Sequence, residues 1–222
     1  LNSAGERIDY ITFVPDGEPT LDINIGKVIQ LIKPLGIKIA VITNSSLLWD
    51  KEVREDLLLA DWVSVKIDTV DERVWRKINR PYGKLELLKI LSGIKAFRLS
   101  FTGTLVTETM LLKGINESEM VLRDTAEFIK KINPGKAYIL VPTRPPAEKF
   151  VEPPSEENLN MAYQIFSSNI SSVELLTSSE GNDFTYSSDV EKELLGILSV
   201  HPMRKDAVEI YLAKANSDWY LI

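Results

Sequence analysis

The chain has 222 residues, 44% of them hydrophobic, and 32 acidic against 26 basic side chains, for a formal net charge of -6. This length suits one large domain or one domain plus an appendage, and the acidic balance offers phosphate backbones no general attraction, although a local basic patch stays open. Cysteine is absent, which removes disulfides, thiolate metal sites and a cysteine nucleophile from these residues. No apolar run approaches the roughly 20 residues that span a bilayer, and no basic-then-apolar leader opens the chain, so the reading is cytoplasmic with no membrane partner.

Ile8 to Val14 is β-branched and aromatic and predicts a strand, which runs into Pro15-Asp16-Gly17-Glu18-Pro19. Gly17 leaves the backbone open to a ligand there, and the flanking prolines stiffen the turn. Ile25, Val28, Ile29, Ile32 and Leu35 recur at helical spacing. A second strand, Ile37 to Ile42, ends in Thr43-Asn44, and a short helix carries Val53, Leu57, Leu58 and Ala60. In the third strand, Trp62 to Asp68, Val63, Val65 and Ile67 form one apolar face, while Trp62, Ser64, Lys66 and Asp68 form a polar one. Helices are expected around Asp71–Ile78 and Leu85–Phe97, then a strand within Gly103–Leu112 that carries Glu108.

Asn116 and Glu119 have capping-box spacing ahead of the helix bearing Val121, Leu122, Thr125, Phe128, Ile129 and Ile132. A fifth strand spans Lys136–Val141, and five prolines between Pro142 and Pro154 make a stiff connection around Arg144. A helix at Glu156–Phe166 precedes a sixth strand at Ser172–Thr177. From Ser187 the pattern becomes two helices separated by His201-Pro202. Strand and helix alternate as in βαβ units around a mainly parallel sheet. The expected division is residues 1–185 as a β/α barrel and 186–222 as a helical appendage.

In a parallel sheet, Glu18, Asn44, Ser64 with Lys66 and Asp68, and Glu108 would share one rim, where such folds bind ligands. Individually, each has a plain structural alternative: Asn44 as a turn residue, Lys66 with Asp68 as an ion pair. Carboxylates, an ammonium and amide groups suit a zwitterionic or ribose-bearing ligand rather than a hydrolytic triad. The single histidine, His201, lies far in sequence from these strand ends, which argues against histidine-based catalysis or metal binding. No catalytic or metal-ligating residue is assigned.

Phe13-Val14-Pro15-Asp16-Gly17-Glu18-Pro19-Thr20-Leu21, Ile42-Thr43-Asn44, Val63-Ser64-Val65-Lys66-Ile67-Asp68 and Leu112-Lys113-Gly114-Ile115-Asn116-Glu117-Ser118-Glu119 resemble successive strand-end motifs of radical S-adenosylmethionine enzymes. The resemblance runs from about Ile8 to Glu148 and is closest to archaeal-type iron-sulfur oxidoreductases related to the wybutosine-synthesis and pyruvate formate-lyase-activating branches. It implies a partial (β/α)6 barrel of TIM type, here lacking its first βα unit. It also implies that Asp16, Gly17, Glu18 and Pro19 stand where a Gly-Gly-Glu-Pro motif binds the methionine amino group, with Asp16 in place of the first glycine. Asn44 would lie near the methionine part, Ser64, Lys66 and Asp68 near the ribose, and Ile115 near the adenine.

The cysteine triplet that holds a 4Fe–4S cluster in this family is missing, so the resemblance implies that an N-terminal cluster-binding segment is absent and that this chain alone is inactive. In the parent protein, a reduced cluster would cleave the cofactor to a 5′-deoxyadenosyl radical that abstracts hydrogen from an unknown substrate, with tRNA and a protein as candidates and electrons from a separate donor. A non-catalytic barrel that has lost the cluster remains the alternative.

Overall fold

The computed structural model describes residues 8–14, 17–143, 146, 148, 150–177, 190–200, 203, 205–217 and 219. They fall into two compact units, one within residues 1–141 and 150–176, the other within 142–149 and 177–222. Residue 185, where the expected division falls, lies outside the described residues, as do Asp16, Arg144 and His201.

The first unit is a six-stranded parallel sheet whose spatial order follows the chain. Its strands are β1 (Tyr10–Phe13), β2 (Lys38–Thr43), β3 (Trp62–Lys66), β4 (Thr104–Met110), β5 (Lys136–Leu140) and β6 (Val173–Leu176). Between them run α1 (Ile25–Ile32), α2 (Lys51–Leu57), α3 (Glu72–Asn79), α4 (Leu87–Ser100), α5 (Glu119–Ile132) and α6 (Glu156–Ser167). Consecutive parallel strands require such crossovers, because a tight turn can join only antiparallel neighbours. The expected strands are all present; the second keeps its length, shifted by one residue to end at Thr43, and the other five are shorter by one to three residues.

The period of two sorts each strand. Val41, Val63 and Leu105 stand in register and are at most 2% exposed, and with Ile39, Val65, Ile67 and Ile139 they form the core under the helices. From α4, Ile90, Ile94 and Phe97 meet them. Burying such a side chain contributes about 1.5–3 kcal/mol, so this face holds the unit together. The opposite face carries Ser64, Lys66 and Glu108, with Ser64 opposite Val106 and Lys66 opposite Glu108. The helices start where carboxylates accept their free amides: Asp50 takes Glu52 N at 2.9 Å, and Asp71 takes Arg73 N at 2.8 Å and Val74 N at 2.9 Å. Gly93 lets α4 lie against the backbone of Leu48, because a Cβ there would collide with the Leu48 carbonyl. That close approach fixes the Asn44–Leu48 turn beside the rim.

In the second unit, α7 (Val190–Val200) and α8 (Lys205–Lys214) share a small core of Leu194, Val208, Tyr211 and Leu212. Among the described residues no helix is long and apolar enough to cross a membrane.

Candidate cofactor site at the sheet rim

At the end of β1 the chain turns through a short 3-10 helix, Pro19–Leu21, and Glu18 caps it. Its Oε1 accepts from Thr20 N at 3.1 Å, Thr20 Oγ1 at 2.6 Å and Thr43 Oγ1 at 2.6 Å, while Oε2 accepts, among the described residues, Asn44 N at 2.6 Å. Glu18 is 9% exposed, and no basic side chain pairs with it among the described residues. Three neutral donors crowd one oxygen, so the other keeps acceptor capacity and the charge stays uncompensated. Beside it, Ser45 adopts φ +69°, a left-handed conformation that non-glycine residues rarely take, and is buried. Asn44 is exposed, and its Oδ1 accepts Ser46 N at 2.8 Å, leaving the amide nitrogen outward.

The ends of β3 and β4 are joined by Asp68. Its Oδ1 accepts Met110 N at 2.8 Å, and its Oδ2 accepts Asn79 Nδ2 at 2.8 Å and lies 3.4 Å from Lys66 Nζ. The Asp68 side chain is wholly buried and that of Lys66 is 30% exposed, so the ion pair is structural for Asp68 while the Lys66 ammonium still reaches solvent. Ser64 is buried and donates to Glu108 Oε1 at 2.6 Å.

Asn116 does not cap α5, as its spacing suggests. The capping position belongs to Ser118, which makes no side-chain cap bond. Asn116 is buried and spends its amide across the sheet: Oδ1 accepts Leu112 N at 2.8 Å, and Nδ2 donates to Asp68 O at 3.0 Å and Met110 O at 2.8 Å. The local pattern yields because three buried backbone groups at the strand ends need partners that no ladder supplies.

These ends surround a cavity of about 460 Å³. Glu18, Asn44, Lys66 and Asp68 line it, together with residues that the strand-end reading passed over: Trp75, Asn79, Tyr82 and Leu85. Gly17, Pro19, Ser64 and Ile115 are not among its lining residues. Gly17 is exposed, and a Cβ added there would meet nothing within 4 Å, so the backbone at this point is open to approach. Trp75 and Asn79 belong to a helix rather than a strand end, and their only sequence signal is the polar break at Arg80-Pro81-Tyr82 that follows.

An uncompensated carboxylate, an ammonium and an open backbone segment fit the amino-acid and ribose parts of S-adenosylmethionine. They do not fit an iron-sulfur cluster. The chain contains no cysteine, and among the described residues no three His, Cys, Asp or Glu side chains gather as a metal site.

A UPF0026 protein of Methanocaldococcus jannaschii is 48% identical over 219 residues, covering 98% of this chain and 68% of that protein. An S-adenosylmethionine-dependent nucleotide dehydratase of Lacinutrix mariniflava is 38% identical over 138 residues, covering 62% of this chain and 28% of that protein. The chain thus spans about two thirds of the first relative's length and under a third of the second's. In fold it resembles the crystal structure of a domain of pyruvate-formate lyase-activating enzyme from Bacteroides vulgatus, with a TM-score of 0.61 and 21% identity over 75% of this chain and 98% of that one. The profile described as Radical SAM superfamily matches residues 2–129, more than half of the sequence and the stretch that holds the polar rim from Glu18 to Asn116; the chain belongs to the radical SAM superfamily.

Proposed function

We propose that the rim over β1, β2 and β3 binds S-adenosylmethionine, as part of an enzyme that removes hydrogen from its substrate by radical chemistry. The observation that carries the reading is the meeting of Glu18, Asn44 and Lys66 on one cavity, from three adjacent parallel strand ends. Glu18 Oε2 takes the amino group, and the open backbone at Gly17 approaches the same end of the ligand. Lys66 faces the ribose, and Asp68 holds Lys66 in place. When bound beside a reduced 4Fe–4S cluster, this cofactor supplies the hydrogen-abstracting radical. These 222 residues contain no thiolate for such a cluster, so the cluster, its electron donor and an oxidoreductase-type outcome are proposed for the full-length protein. The name of the Lacinutrix relative makes a nucleotide one substrate to test, beside tRNA and protein.

Calorimetric titration of this chain with S-adenosylhomocysteine tests the site: binding that Lys66→Ala weakens supports it, and absence of binding overturns it. Full-length protein with an anaerobically reconstituted cluster and a reductant should release 5′-deoxyadenosine, and no product would sink the enzymatic reading.

A further inference from the structure

Between Arg73 and Lys95 the chain departs from its acidic balance: this stretch holds seven basic side chains and one acidic one, Glu86, in a protein whose net charge is -6. It runs from α3 through the Tyr82 turn into α4. Two hollows continue from the cofactor cavity along this stretch. The first, of about 390 Å³, shares Leu47, Tyr82 and Leu85 with the cavity and adds Trp49, Lys84 and Lys89. The second, of about 450 Å³, starts at Trp49 and Lys89 and reaches Arg54 and Leu88. Shared walls make them one track that begins at the cavity and leads away from it.

The rings on this track are presented rather than packed: Tyr82 is 69% and Trp49 46% exposed. Both are held by backbone bonds. Leu85 N donates to Tyr82 O at 2.9 Å and closes the turn that carries Tyr82 and Lys84. Arg54 Nη1 donates to the carbonyls of Leu48 and Trp49, both at 2.8 Å, so it fixes the Trp49 backbone and keeps its charge unpaired by any carboxylate among the described residues. Lys84 has no ion-pair partner among the described residues. Lys89 lies 2.7 Å from Glu86, and both side chains are more than half exposed, so water screens the pair and a stronger anion can replace it. Glu86 is the one acid among the described lining residues of either hollow; Glu52 and Glu55 of α2 line neither.

We propose that this track takes a single-stranded segment of nucleic acid and leads it to the cavity, with bases stacked on Trp49 and Tyr82 and phosphates on Lys84, Lys89 and Arg54. Exposed rings interleaved with cations match a polymer that repeats a flat base and an anionic phosphate, and such stacking needs no particular base. An acidic protein segment matches the cations but gives the two rings nothing flat to stack on. The surface stands on its own observations; only making the strand the substrate of the radical chemistry rests on the function proposed above.

A fluorescein-labelled single strand of about 12 nucleotides of mixed sequence, as RNA and as DNA, is titrated with the full chain and followed by anisotropy. Affinity should fall with salt, with a slope of about -2 in log K against log salt for three phosphates on a single strand, and Lys84→Ala should reduce that slope by about 0.7. Trp49→Ala and Tyr82→Ala should each weaken the strand roughly tenfold with circular dichroism unchanged, and Trp49→Phe, which keeps a ring, should restore part of the loss. No binding of either strand at low salt, or affinity that ignores both ring substitutions, overturns the proposal. A polyglutamate peptide of equal charge that displaces the strand at equal concentration also overturns it and assigns the surface to an acidic protein segment. S-adenosylhomocysteine titrated into the same chain separates this proposal from the cofactor reading. Strand binding without S-adenosylhomocysteine binding keeps the track and removes the cofactor, and the opposite result removes the track alone.

Discussion

Glu18 and Asp68 each leave a strand end and accept a backbone amide of the next strand's end, Asn44 N for Glu18 and Met110 N for Asp68. Their remaining partners differ. Glu18 is surrounded by two threonine hydroxyls and amides, with no cation among the described residues, whereas Asp68 has the Lys66 ammonium and the Asn79 amide. A carboxylate held only by neutral donors can still attract a ligand's positive group, and one that already has its cation serves the scaffold. On the function proposed above, Glu18 at the β1–β2 side is the carboxylate left for a ligand's positive group, while Asp68 braces the joint between β3 and β4.

The largest effect expected from this contrast is on stability at the braced joint. Asp68→Ala leaves the Met110 amide, the Asn79 amide and the Lys66 ammonium without their acceptor, and should cost about 3–5 kcal/mol, the usual result of breaking a buried pair from one side. Urea denaturation measures it, and a loss below about 1 kcal/mol would erase the distinction drawn here. Asn116→Ala removes three bonds from the same joint and should cost about 2–3 kcal/mol, since each buried backbone group it abandons carries a desolvation penalty.

Glu18→Gln should cost less stability, about 1–2 kcal/mol, because one amide oxygen still serves part of the donor set while the new NH2 cannot accept Asn44 N. Its sharper readout is binding. Removing this uncompensated charge should weaken S-adenosylhomocysteine by at least about tenfold, a penalty of the size expected for a charged hydrogen bond. Unchanged affinity in Glu18→Gln would place the ligand's amino group elsewhere.

Much of this was legible in the sequence because the signals were local. The split of β3 into Val63, Val65 and Ile67 against Ser64 and Lys66 is a period of two, and the sheet honours it. Glu18 stood out because a carboxylate between Gly17 and Pro19 ends a strand. Asn116 was legible and misdirecting: its spacing to Glu119 fits a capping box, yet the tertiary need of Leu112, Asp68 and Met110 for partners outweighs a cap worth about 1 kcal/mol. Asn79 was not legible at all. It occupies the last turn of α3, where its only distinction is that Asp68, eleven positions earlier, turns its amide.

A third carboxylate tie, on the solvent side, shows what burial contributes. Lys113 Nζ lies 2.6 Å from Glu152 Oε2, beside a backbone bond from Lys113 N to Glu152 O at 3.0 Å, and both side chains are more than half exposed. The hydrogen bond, and then the charge, of each partner holds the Glu152 carboxyl below its ordinary value of 4.5 and the Lys113 ammonium above 10.5. A lowered carboxyl contributes stability that is complete above its unfolded value and fades as pH falls through the folded one. A raised ammonium contributes below its unfolded value and fades as pH rises through the folded one. Between those limits the pair adds no pH dependence, and water screens what it does add. Lys113→Met should therefore leave the melting temperature at pH 7 almost unchanged and return the Glu152 titration, followed by carbon-detected NMR, to the ordinary carboxyl range. If Glu152 already titrates there in the unaltered chain, the backbone bond alone fastens this segment, and the contrast between buried and exposed ties becomes absolute.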